Sequence, residues 1–130
     1  MKVTELIVGD WVLDGTQIAQ ITSITFGGVI ETTAYEFSNI EVIKPIPLTG
    51  EILERNGFEG TPTGDLFIEK KLWETYAIEL FASEGSWIIR ITDKTNWYID
   101  GCNRINLYIK YIHELQHALK LCGIEKDIKL

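Results

Sequence analysis

Apolar and polar residues alternate in short runs through the first third of the chain, and turn residues break the runs at short intervals. Residues 10–13, 17–26 and 29–37 read as strands, with Asp14-Gly15 and Gly27-Gly28 between them as two-residue hairpin signals, because the favoured hairpin turns need positive φ. The pattern predicts a β-meander. A second set of alternating runs covers 66–70, 76–81, 87–92, 97–99 and 105–110, and the turns Glu84-Gly85, Asp93-Lys94 and Asp100-Gly101 between them favour antiparallel pairing.

Helical spacing is confined to two places. Thr49 reads as an N-cap for a short helix through Glu51, Ile52, Leu53 and Arg55, stopped at Asn56-Gly57 with Phe58 placed to fold back on it. Near the C-terminus, Ile112, Leu115, Ala118, Leu119 and Cys122 form the apolar stripe of a helix over 112–122, closed by Gly123. Between the two halves, Pro45-Ile46-Pro47 holds the backbone extended and withholds ladder donors, which puts a boundary there. The expected fold class is α+β. An N-terminal subdomain over 1–46, too small a sheet to bury both faces when flat, curls into a barrel. Its Gly9-Asp10-Trp11-Val12 opening, followed by a hairpin and another strand pair, looks like a small SH3-like β-barrel. An α+β subdomain over 47–130 follows, an antiparallel sheet with two helices.

Composition narrows the class of protein. With 130 residues, 45% hydrophobic and 24% charged, the chain can bury roughly two-thirds of its unfolded surface and build a core. Twelve Lys and Arg against nineteen Asp and Glu leave a formal charge of -7, which repels nucleic-acid backbones and anionic membranes and leaves another protein as the expected partner. Cys102 and Cys122 do not make a disulfide framework. No signal-like N-terminus or membrane-length apolar run is present, so the reading is of a cytoplasmic protein.

One string carries specific chemistry. His113-Glu114-Leu115-Gln116-His117 matches the zincin pattern, in which histidines four apart on a helix share a zinc ion and the glutamate takes a proton from the metal-bound water. A zinc-dependent, metallopeptidase-like hydrolase using His113, His117 and Glu114 is therefore the alternative reading. Against it, a third ligand is missing: the chain has no third histidine, and only Cys122, Glu125 and Asp127 follow nearby. At about 100° per residue the apolar stripe centres near Leu115 and Leu119, which turns His113 and His117 about 140° to 180° away from it, onto a solvated face. The expectation is no catalytic residue, no metal and no cofactor. Of the four tryptophans, Trp11, Trp73, Trp87 and Trp97 are candidates either for the core or for exposed binding anchors.

Three blocks in order, Glu5-Leu6-Ile7-Val8-Gly9-Asp10-Trp11-Val12, then Pro45-Ile46-Pro47-Leu48-Thr49 with Glu51-Ile52-Leu53 and Gly57-Phe58, then Lys110-Tyr111-Ile112-His113-Glu114-Leu115-Gln116, span most of the chain. Together they resemble a family of small proteins of uncharacterised activity from gut Bacteroidales and their phages or mobile elements. The family's terminal block runs Tyr, Val or Ile, His, any residue, Leu, Gln, Asn, so neither Glu114 nor His117 belongs to the pattern. The resemblance implies that the zinc string is accidental, and it supplies no activity. The expected function is a non-enzymatic protein-binding or accessory module, phage- or mobile-element-related.

Overall fold

The computed structural model describes residues 2–69, 76–93 and 104–130. The chain divides into two compact units, residues 1–47 with 111–116 and residues 48–110 with 117–130. Each is built on a five-stranded antiparallel sheet, and with two helices the fold class is α+β.

The first unit holds β1 (Trp11–Asp14), β2 (Gln17–Ile24), β3 (Val29–Thr32), β4 (Ser38–Asn39) and β5 (Ile43–Pro45), in the order β4-β3-β2-β1-β5. A 3-10 turn, Ile40–Val42, leads into β5, with the Glu41 N–H donating to Asn39 Oδ1 at 3.1 Å. β2 is long, and its register with β3 shifts between Ile21 and Ser23, an irregularity of the kind that bends a strand. Leu6, Val12, Ile21, Ile30 and Ile43 form the core, flanked by Val3, Ile24 and Ile40. The sheet is open, since β4 and β5 end it without a ladder joining them among the described residues.

Both hairpin turns differ by one residue from the pattern reading. Asp14 pairs with Gln17, so the first loop is Gly15-Thr16. In the second, Thr25 N–H donates to Val29 O and Gly28 N–H to Thr25 O, each at 3.0 Å, which makes a three-residue loop of Phe26, Gly27 and Gly28. The strand expected over 29–37 stops at Thr32. There Thr32 Oγ1 donates to Asp14 Oδ2 at 2.7 Å and accepts from the backbone N–H groups of Ala34 and Tyr35 at 3.1 Å, which turns the chain out of the ladder. Ser38 Oγ donates to the same carboxylate oxygen, so the buried Asp14 ties β1, β3 and β4 together.

The second unit opens with α1 (Gly50–Arg55), capped by Thr49, whose Oγ1 accepts from Ile52 N–H at 3.3 Å. Its sheet runs β10-β9-β8-β7-β6, with β6 Phe58–Gly60, β7 Leu66–Glu69, β8 Tyr76–Ser83, β9 Ser86–Asp93 and β10 Arg104–Ile109. The register sets Phe67, Leu80 and Ile89 side by side, with Glu69, Ile78 and Ile91 in the next row, and all six are buried. The strand expected at 97–99 and the turn at Asp100-Gly101 lie outside the described residues.

The second helix, α2, is Ile112–Leu121. It ends in a Schellman motif: Gly123 N–H donates to Lys120 O at 3.0 Å and Ile124 N–H to Leu119 O at 2.9 Å, with Gly123 at φ 71, a left-handed conformation that glycine adopts without a Cβ penalty. The tail beyond it is tied to its own unit. Ile124 and Ile128 are buried, Lys126 pairs with the fully buried Glu69, and Asn56 both donates to Lys129 O and accepts from Lys129 N–H at 2.8 Å.

Candidate functional site

The zincin-like string is built into the start of α2. Glu114 Oε1 accepts from the Tyr111 N–H at 3.0 Å, the reach-back half of a capping box, where a carboxylate also suits the positive end of the helix. The expectation that His113 faces solvent is corrected: it is only 4% exposed, and its ring stacks on Tyr111 with centroids 5.9 Å apart and planes 8° apart. The stripe phase holds for Ile112, Leu115, Ala118 and Leu119, all buried. It fails at His113 because Tyr111, just before the helix, folds over the first turn, which periodicity inside the helix does not register. His117 is half-buried.

Gln116 has the longest reach of the string. Its Oε1 accepts from the Trp11 N–H and its Nε2 donates to Gly9 O, both at 3.0 Å. Nearby, Ile112 N–H donates to Ile46 O at 2.9 Å, and Pro47 and Tyr111 form a β-bridge. Parts of all three sequence blocks thus meet inside the first unit, through backbone pairing and one amide side chain. Among the described residues, no three His, Cys, Asp or Glu side chains converge as metal ligands.

Of the tryptophans, Trp11 and Trp87 are half-buried. Trp87 spends its Nε1–H on Leu48 O at 2.9 Å and meets Phe67 edge-on, with centroids 5.6 Å apart, as a packing residue does. Trp73 and Trp97 lie outside the described residues.

Exposed apolar surface collects elsewhere. On the second unit the register lines up Leu66, Phe81, Ile88 and Tyr108 across the sheet, but Arg90 lies over the Phe81 ring at 5.0 Å and donates to Asn106. In the first unit, no cation lies over an aromatic ring among the described residues. Phe26, at the tip of the β2–β3 loop, is 114% exposed and Phe37 is 76% exposed. Phe37 lies on an open groove of about 670 Å³ walled by Val3, Val29, Phe37 and Ile40, with Gly27 and Gly28 also in its lining. Its size is that of a ligand or peptide-side-chain pocket, and its lining is largely apolar. The strands expected over 17–26 and 29–37 include Phe26 and Phe37; what exposes them is the early end of β3 at Thr32 and the three-residue loop. The one cue in the sequence was the place of Phe26 directly before Gly27-Gly28, and Phe37 had none. No protein-family model, curated protein or solved structure matches this chain.

Proposed function

We propose that the protein is a non-enzymatic binding module whose first unit, an SH3-like arrangement of short strands, offers its apolar groove to another protein. The observation that carries this reading is the apolar groove with the exposed Phe37 in its wall, together with Phe26, exposed on the loop whose Gly27 and Gly28 also line it. Exposed apolar clusters of this kind mark interaction sites, and aromatic side chains are the usual anchors. The strand order, the bend in β2 and the 3-10 turn before the last strand support the SH3-like part of the reading. The use of Glu114 and His113 in the helix start favours a structural role for the zincin-like string over a catalytic one. An accessory protein that works in the cytoplasm by contact also accords with the resemblance to the Bacteroidales and phage family.

The test compares wild type with the Phe26→Ala, Phe37→Ala double variant as bait in lysate of the producing cells. Both side chains are exposed, so the melting temperature should barely move, within the roughly 0.5 kcal/mol of ordinary surface changes. Captured proteins should be lost. An unchanged set of captured proteins sinks the reading, and about one zinc per chain surviving dialysis against a mild chelator would favour the hydrolase.

A further inference from the structure

Resting on the binding-module reading, we infer that the groove takes a segment of another protein that presents an aliphatic or aromatic side chain next to lysine or arginine. The argument is charge. The first unit holds two lysines against seven carboxylates, a net -5, whereas the second holds ten cations against twelve carboxylates, a net -2. The apolar groove is therefore on the unit that carries most of the net negative charge. Glu36 and Glu41 are both exposed, and they adjoin the lining residues Phe37 and Ile40 in sequence. Lys2 is the single cation in the lining, and the unit's other lysine, Lys44, is exposed on β5, just beyond the 3-10 turn that follows β4, so the two exposed glutamates face two lysines in all. A cationic segment gains attraction on approach and an apolar anchor on docking, so charge selects the partner and the groove holds it.

Other occupants fit less well. Exposed phenylalanines suit a lipid interface, yet a unit of this charge is repelled by anionic headgroups. A second copy joined through the same face would set the acidic surface against itself. Nucleic acid meets the same repulsion at every phosphate.

Selection of phage-displayed random dodecapeptides on the full chain, counter-selected on the Phe26→Ala, Phe37→Ala variant, tests the inference. Selected peptides should combine an aromatic or aliphatic residue with lysine or arginine. Measured by fluorescence anisotropy, they should bind the Glu36→Lys, Glu41→Lys variant about tenfold more weakly or worse, and should weaken as sodium chloride rises to roughly 0.5 M. Melting curves control for folding of every variant, and Phe37→Ala alone, in the groove wall, substitutes if the double variant unfolds. Groove-dependent peptides without cations, indifferent to the charge variant, overturn the partner chemistry and leave the binding module standing. No groove-dependent peptide overturns both. Groove-dependent flotation with vesicles of phosphatidylcholine, alone or with an equal part of phosphatidylserine, reassigns the surface to membranes, and groove-dependent self-association in sedimentation reassigns it to a second copy; either overturns the inference.

Discussion

Gln116 is polar, half-buried and central to the first unit, because one amide serves both a backbone N–H and a backbone carbonyl. Gly9 O also accepts from Gln20 Nε2 at 3.1 Å, so loss of Gln116 bears mainly on the Trp11 side. Gln116→Ala should destabilise the protein by about 1–3 kcal/mol, as removing a partner from partly buried backbone does. Gln116→Glu keeps the acceptor for Trp11 but sets a carboxylate oxygen against Gly9 O, so it should not restore the stability lost in the alanine variant. Urea denaturation measures both, and a change within surface noise for the alanine variant would show that the two bonds are dispensable. In the second unit the sensitive residue is one with no side chain. A Cβ on Gly60 would stand 2.7 Å from Phe67 Cε1, and one on Gly50 2.9 Å from Phe67 Cζ. The ring cannot easily give way, because it packs edge-on against Trp87. Gly60→Ala should therefore cost about 1–3 kcal/mol by overpacking, seen as a lowered melting temperature. An unchanged melt would mean that the ring has room to turn aside.

The elements whose signals are local were legible. Thr49 caps α1, Gly123 ends α2, and Glu84-Gly85 joins β8 to β9 as expected, since each depends on residues within a few positions of itself. Elements shaped by distant partners were not. β3 ends early because Thr32 answers to Asp14, eighteen positions away, and Gln116 is held by Trp11 and Gly9, 105 and 107 positions away, which no spacing within the helix registers. The groove escaped for the same reason, since alternation along a strand cannot say where the ladder will stop. The C-terminal tail shows how far one distant partner matters. Glu69 is fully buried, and Lys126 supplies its counter-charge. Lys126→Ala should destabilise by about 3–5 kcal/mol, the usual effect of breaking a buried pair from one side. The Lys126→Met, Glu69→Gln double variant should recover much of the loss. If the single variant costs under about 0.5 kcal/mol in chemical denaturation, the tail is an appendage and not part of the second unit's core.

For the molecule as a whole, the charge of -7 is unevenly spread, and neither unit carries a net positive charge. No gel shift of duplex DNA is expected at low micromolar protein and physiological salt, because the net charge of both units opposes the phosphate backbone. Tight, salt-sensitive binding would mean that a basic patch had been assembled from distant residues. One other feature acts at this scale, and it concerns the order in which the protein comes into being. The bonds from Gln116 to Gly9 and Trp11 join residues 107 and 105 positions apart. During synthesis the first 47 residues emerge early, but the segment that completes their unit, 111–116, emerges only after nearly the whole second unit has been made. Residues 1–47 therefore wait for a partner segment made some sixty residues later, and the second unit in turn waits for its own tail, 117–130. Until then the β1 end of its sheet waits without Gln116, and folding of the first unit is paced by a long-range closure instead of by its own hairpins.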